Sequence, residues 1–157
     1  KVYKIIDFGR SIYKYENQII CSDSFAAGGD AHGQYNYEPY FDDRKRRLEP
    51  NLSFDLCRLG CSIYDFVVDN DCDHLVKTQS IVKEWCTDDF DNNILYKKNG
   101  DERYPNFKLY KMVSRTVHKH TPHNQLNNPI FSSFVCEKYR KNGSEPVIWI
   151  DKIPKYT

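Results

Sequence analysis

A chain of 157 residues is long enough for one ordinary domain, and a hydrophobic fraction of 39% beside 29% charged residues argues against disorder. The formal net charge of +1 provides no basic excess, so neither a nucleic acid nor a membrane surface is an expected partner. No apolar run reaches the length of a membrane span. Because the sequence opens on Lys1 and its one methionine is Met112, we expect a piece of a longer protein whose missing part lies upstream.

In chain order, residues 2–6 predict a short strand, and residues 10–50 predict a long polar loop without a sustained period. Residues 53–67 give the clearest helix. Their apolar side chains recur at three- and four-residue spacing on more than one face, which indicates a helix buried at the centre of the domain. Ser53 is the predicted N-cap, and Asp55 lies in the first turn, where a carboxylate is favoured.

Two further helices are predicted over residues 78–88 and 106–119, and Pro105 suits the opening of the second one. A loop joins these two helices. A shorter helix or turn follows over 124–135, and VIWI at 147–150 predicts a strand or a packed tail.

The six cysteines stand at positions 21, 57, 61, 72, 86 and 136. Cys57 and Cys61 lie four residues apart in an apolar segment, as small buried hydrophobic residues do. We therefore expect reduced thiols and a cytoplasmic location. The alternative to buried thiols and surface histidines is a zinc site whose spacing matches no standard finger, with the candidate ligands Cys72, His74, Cys86, His118, His120 and His123.

Four stretches bear on function, and their order along the chain is more specific than any one of them. They are DFG at 7–9, GQYNYEP at 33–39, SFDLCRLGCSIYDF at 53–66 and HTPHNQLNNPIF at 120–131. In this order they resemble the carboxy-terminal lobe of eukaryotic-type protein kinases. The amino-acid sequence of the segment 85–113 also resembles kinases of large DNA viruses. A protein of that kind would be located in the host cytoplasm or in the virion.

The resemblance implies a kinase-like carboxy-terminal lobe over residues 1–135 and a carboxy-terminal tail over 136–157. Such a lobe is mainly α, within an α+β kinase fold: a buried central helix surrounded by helices, with a short strand at the DFG. It also implies an activity: the full-length parent would be a protein serine/threonine kinase that transfers the γ-phosphate of ATP to a hydroxyl group of a protein substrate. The alternative is a non-catalytic, pseudokinase-like binding module. The oligomeric state stays open.

The DFG stretch is the expected cofactor-binding part of this chain. By resemblance, Asp7 is a Mg²⁺ ligand, Phe8 packs between helices, and Gly9 gives the backbone freedom to change conformation. From the tripeptide alone, a polar residue at a strand end is the better interpretation. No catalytic residue is expected within this chain, because the glycine-rich loop, the ATP-anchoring Lys and the catalytic Asp precede DFG in the family. The fragment alone is therefore expected to be inactive.

The stretch at 33–39 resembles the end of a kinase activation segment, with the matching positions Gly33, Gln34, Tyr37 and Pro39. Gln34 replaces the family threonine, and Tyr37 matches the family tyrosine. Tyr40 stands where a glutamate is expected, and Gln125 where its partner arginine is expected. Both members of an ion pair are therefore replaced, as in a divergent lobe.

Asp55 and Gly60 are expected to be structural, since they fall on the aspartate and glycine of the central-helix signature. The resemblance implies that Asp55 is buried and accepts backbone N–H groups of the catalytic loop; the alternative is a first-turn carboxylate that faces solvent. The basic run 44–47 is either a solvated loop partly neutralised by Asp42 and Asp43, or a docking patch for acidic or phosphorylated partners.

Overall fold

The computed structural model describes residues 9–134 with the exception of residue 71. The predicted strand at 2–6, Asp7, Phe8, and the predicted tail at 136–157 lie outside the described residues. Four α-helices occur within the described part, α1 Ser53–Val68, α2 Val76–Trp85, α3 Lys108–Thr116 and α4 Pro122–Gln125. It also contains one β-hairpin, β1 Ile12–Tyr15 and β2 Gln18–Cys21, and 3-10 turns over Asp23–Phe25, Asp73–Leu75 and Pro129–Phe134.

The prediction of a mainly α, kinase-like lobe is wrong for this part of the chain. Helical segments hold about 40% of it, beside a two-stranded antiparallel sheet and long irregular stretches. The hairpin lies inside the segment 10–50, which was predicted to be loop throughout. It turns through Glu16 and Asn17, both at positive φ (46° and 63°), so the turn forms without the glycine that usually announces a two-residue hairpin.

Helix α1 also differs from its prediction: it ends one residue later than the predicted 53–67, and it is less buried than expected. Part of this helix faces solvent, since Leu59 and Phe66 remain 51% and 79% exposed. The apolar periodicity predicts the helix, but it does not determine how many of the helix faces pack against other elements. The N-cap prediction is also wrong, because Asn51 Oδ1 accepts from the backbone N–H groups of Ser53 (2.9 Å) and Phe54 (3.1 Å).

The core consists of two clusters on either side of α1. One joins α1 to α3 and contains Cys57, Cys86, Ile94, Leu109, Val113 and Val117. The other joins α1 to α2 and contains Leu56, Val67, Ile81, Val82 and Trp85. The helices that flank α1 are shorter than predicted, since α2 ends at Trp85 and the positive φ of Asn106 (56°) delays the start of α3. No helix among the described residues is both long and apolar enough to cross a membrane.

A buried carboxylate organises the loop between α2 and α3. Asp88 is 2% exposed and accepts hydrogen bonds from the backbone N–H groups of Phe90 and Asn92, both at 2.9 Å. Arg103 completes the site with a 3.1 Å ion pair to Asp88 and a 2.9 Å hydrogen bond to the carbonyl of Asn93. A buried charge satisfied in this way fixes the loop, since removal of one partner would leave the other charge uncompensated.

Gly60 permits the close approach of α2 to α1, so we expect Gly60→Ala to lower the free energy of unfolding. A Cβ at Gly60 would lie 2.9 Å from Cys86 Sγ and 3.2 Å from Trp85 Cβ. Overpacking costs about 1–3 kcal/mol, against about 1 kcal/mol gained in helix propensity, so we expect a net loss of about 1 kcal/mol in urea unfolding. Ser62→Ala on the exposed face of the same helix is the control. A Gly60→Ala protein as stable as that control would show that the helices adjust freely.

Candidate functional site

One cleft beside the first turn of α1 brings together three parts of the sequence that the motifs single out. Its lining includes Arg10, directly after the DFG stretch, Gln34 in the proposed activation segment, and Asp55 of α1. Four aromatic rings also line it, and each contacts the next, with neighbouring ring centroids 5.7–6.3 Å apart. In order, they belong to Phe25, Tyr35, Phe54 and Tyr110. We call this the Asp55 cleft.

The predicted burial of Asp55 is wrong, and the alternative of a first-turn carboxylate that faces solvent describes it. Its side chain is exposed, and no described residue donates a hydrogen bond to it. The aromatic groups that share the cleft nevertheless remove part of its hydration, and this desolvation raises the pKa of Asp55. The carboxylate is therefore positioned to accept donors, and the described residues supply none.

Arg10 anchors the start of the described chain at this cleft. Its guanidinium lies 5.2 Å from the ring centre of Phe107, just before α3, and 3.4 Å from the carboxylate of Asp30. Gly9, the described member of the DFG stretch, is exposed. The backbone that follows DFG is thus held at the Asp55 cleft.

The proposed activation-segment positions lie in different environments. Gly33 adopts a positive φ (76°), and its carbonyl accepts a 3.0 Å hydrogen bond from Arg115 of α3. Gln34 is buried, whereas Tyr37 lies under the guanidinium of Arg47 at 4.7 Å. Pro39 is exposed and follows a cis peptide bond. The structure therefore brings Gly33 and Gln34, but not Pro39, against the helices.

Asn36 is a structural residue that the sequence reasoning missed. Its buried side-chain NH₂ group donates to the carbonyls of Asp42, Lys45 and Arg46 at 3.0–3.1 Å, and its Oδ1 accepts from Asp42 N–H at 2.9 Å. A backbone bridge to Leu48 closes the same turn. One amide thereby fixes the shape of the basic loop, and an asparagine in a polar segment gives no sequence signal of that role.

The basic run lines a second cleft, together with Arg115 and His118. Much of its charge is neutralised locally. Asp42 pairs with Arg44 (3.0 Å) and Lys45 (3.3 Å), which holds the pKa of Asp42 well below its usual range. Arg47 pairs with Glu38 at 2.7 Å and also with Glu49.

Two guanidinium groups of this second cleft, Arg46 and Arg115, have no carboxylate partner among the described residues. We call it the Arg46–Arg115 cleft. The sequence indicates the basic run but not Arg115, because that residue belongs to α3 and joins the cleft only in the folded chain.

The positions of the replaced kinase ion pair have separate partners. The hydroxyl of Tyr40 donates to Asp23 Oδ1 at 3.0 Å on the surface. Gln125 is buried, with its Nε2 3.4 Å from His120 Nδ1 and its Oε1 without a hydrogen-bond partner.

The zinc alternative finds no support in the described residues. His118 pairs with Asp89 at 2.7 Å, and His120 with Glu84 at 3.1 Å. No group of three or more His, Cys, Asp or Glu among the described side chains is placed to hold a metal ion, and the candidate ligand His74 has its side chain outside that description. Asp7, the expected Mg²⁺ ligand, lies outside the described residues.

Compared with protein-family models, with curated proteins and with solved structures, the chain matches none of them. The residues around the two clefts are therefore the features of this chain that bear on function.

We expect Asp55 to titrate above its ordinary pKa of 3.8 in the folded protein. A raised carboxyl pKa means that the folded state holds the proton more tightly, so the free energy of unfolding falls as pH rises through this window. Asp55→Asn should remove that decline. An NMR titration of the carboxyl carbon and urea unfolding across the same pH range measure both effects.

Asp42→Asn is the matched control, with the opposite sign. The pKa of Asp42 is lowered by Arg44, so its contribution to stability is present above the unfolded pKa and is lost as pH falls through the folded pKa. An ordinary or lowered pKa at Asp55 would mean that solvent or other donors already satisfy it.

Proposed function

We propose that the chain is part of a protein serine/threonine kinase, whose full-length form transfers the γ-phosphate of ATP to a hydroxyl group of a protein substrate. The observation that carries this proposal is the Asp55 cleft. It joins the residue after DFG (Arg10), the proposed activation segment (Gln34) and the first-turn carboxylate of α1 (Asp55). These three residues are far apart in sequence, and each lies in or next to one of the stretches that resemble kinase motifs.

The chemistry of phosphoryl transfer is consistent with residues that position and neutralise charge. The protein mainly positions the reactants and neutralises charge. Bound Mg²⁺-ATP supplies the phosphoryl group and the cation that offsets its charge. Asp7 is the proposed ligand for that cation, since Mg²⁺ prefers carboxylate oxygens. Arg10 then fixes the chain close behind it, through its contacts with Phe107 and Asp30.

Asp55 supports this proposal because its carboxylate has no hydrogen-bond donor among the described residues. It is partly desolvated, and the described residues donate nothing to it. In a full-length kinase, the catalytic loop of the upstream part would supply backbone N–H donors to a carboxylate in this position.

We further propose a cytoplasmic compartment, in a host cell or a virion, where Cys21, Cys57, Cys61 and Cys86 would stay as the free thiols observed.

The proposal predicts that Asp7→Asn in the full-length parent abolishes phosphate transfer and leaves the fold intact. Transfer of radiolabelled γ-phosphate to a serine-containing protein measures activity, and thermal unfolding measures the fold. Asp101→Asn, a matched change in an exposed turn, should retain activity. The 157 residues alone should show neither transfer nor Mg²⁺-ATP binding by calorimetry, because one carboxylate cannot replace the missing phosphate-binding groups. An active Asp7→Asn parent, or a parent without transfer, would contradict the proposal.

The second candidate function is a non-catalytic binding module for acidic or phosphorylated protein segments. The Arg46–Arg115 cleft favours it, since both guanidinium groups line the cleft without a carboxylate partner among the described residues. A guanidinium group can donate two parallel hydrogen bonds to a carboxylate or a phosphate, which makes arginine suited to this recognition.

A phosphoserine peptide and its unphosphorylated form test this second function by fluorescence anisotropy. We expect binding of the phosphorylated form to weaken about tenfold in Arg46→Gln and in Arg115→Gln, which is about 1.4 kcal/mol each. Arg44→Gln, which removes a cation already paired with Asp42, is the control and should change binding little. Equal binding by all three variants would contradict the assignment of the cleft.

A further inference from the structure

We propose that Cys61 and Cys86 form a peroxide-sensitive thiol pair, in which oxidation joins α1 to the end of α2 through a disulfide bond. The inference concerns a covalent modification site and is independent of kinase activity. It depends on a cluster of three thiols in the core, at the point where α2 meets α1.

The geometry of the cluster places one thiol between two others. The Sγ atom of Cys61 lies 3.9 Å from that of Cys57 and 3.9 Å from that of Cys86. Cys57 and Cys86 are 1% and 0% exposed, whereas Cys61 is only half-buried. Cys61 is therefore the member of the cluster that a small oxidant reaches first.

Cys61 is also the member that ionises most readily. The Cys57 sulfur contacts Cys61 Sγ at 3.9 Å and the Cys86 S–H donates to it at 3.9 Å, and these contacts lower the pKa of Cys61. The same contacts, together with burial, raise the pKa of both neighbours. Since the thiolate is the nucleophile, the least buried cysteine of the cluster is also its most reactive one.

Cys86 is the better partner for Cys61 because it lies on a different element. Cys57 and Cys61 are four residues apart on α1, where the rise of about 1.5 Å per residue fixes their separation and keeps their side chains parallel. Cys86 follows α2 at its C-cap. Closing 3.9 Å to an S–S bond of about 2.05 Å thus needs side-chain rotation and a small shift of that cap, while α1 stays intact.

Gly60 makes this approach possible. A Cβ at that position would lie 2.9 Å from Cys86 Sγ, so the backbone of α1 is already next to the sulfur. The absence of a side chain at Gly60 leaves the sulfur of Cys86 beside that of Cys61 instead of displaced from it.

The chemistry proceeds in two balanced steps with hydrogen peroxide as the oxidant. The Cys61 thiolate attacks one peroxide oxygen, the O–O bond breaks, and the products are a sulfenic acid and hydroxide, which takes up a proton to become water. The Cys86 sulfur then attacks the Cys61 sulfur. The S–O bond breaks, the S–S bond forms, and the oxygen leaves as a second water with the thiol proton. Two thiols are oxidised and one peroxide is reduced.

The disulfide would cross-link residues 25 positions apart, which restricts the unfolded chain and ties α1 to the start of the loop after α2. We therefore expect the oxidised protein to unfold at a higher urea concentration than the reduced protein. Dithiothreitol should reverse the shift.

The experiment treats the whole chain with hydrogen peroxide and follows intact mass and disulfide-linked peptides. We expect the loss of two hydrogens, a Cys61–Cys86 linked peptide, and recovery of the starting mass with dithiothreitol. Cys57→Ala should retain the cross-link, and Cys86→Ala should lose it and accumulate sulfenic acid at Cys61, detected with dimedone.

Peptide mapping of the unmodified chain decides the question even where Cys86→Ala does not fold. A Cys57–Cys61 disulfide, a cross-link that involves any other cysteine first, or a Cys61 that peroxide leaves unchanged would each overturn the proposal. A cross-link that forms without raising the urea midpoint would overturn the claim that it ties α2 to α1.

Discussion

The contact between the end of α2 and the backbone of α1 at Gly60 is the constraint on which the described structure depends. Cys86, at that contact, is fully buried. Its N–H donates to the carbonyl of Val82 at 3.1 Å and ends α2, and its carbonyl accepts from Ile94 N–H at 2.8 Å and starts the next loop. One residue thus terminates a helix, directs a loop and fills the core, and only a glycine on the facing helix leaves room for it.

The Arg46–Arg115 cleft is connected to that contact through hydrogen bonds made by residues that are neighbours along the chain. The loop that begins at Cys86 is fixed by Asp88, and the neighbouring Asp89 N–H donates to the carbonyl of Thr116 at 2.7 Å, at the end of α3. The adjacent Arg115 in turn donates to the carbonyl of Gly33. The segment 33–48 is therefore positioned by α3, and α3 by the loop after α2. A change in the helix contact would move the second cleft without touching any residue that lines it.

The sequence could predict those features that depend on local order along the chain. The bounds of α1 follow from apolar periodicity, which is a property of neighbouring residues, and the turn at Asn99–Gly100 follows from its composition, with Gly100 at a φ of 86°. The hairpin was missed because Glu16 and Asn17 adopt positive φ without glycine. The fold class was wrong because periodicity cannot tell how many faces of a helix are covered.

The site was predictable to a similar degree. Arg10 and Asp55 line one cleft, but the sequence could not show that Asp55 stays exposed. The roles of Asn36 and Asp88 were invisible, since their partners are reached only after the chain has folded. The same holds for Arg115, whose relation to the basic run is created by α3.

Helix α1 carries both the Asp55 cleft and the thiol cluster, yet the two are held by different contacts. The first turn is fixed by the Asn51 cap and by the ring of Phe54, which lies 6.1 Å from that of Tyr35 and 6.3 Å from that of Tyr110. The thiols lie further along the helix, where α2 and Gly60 determine the packing. A disulfide at Cys61 would stiffen the α1–α2 contact, while the aromatic contacts would continue to set the position of Asp55. The two proposals are thus physically separable on a single rigid element.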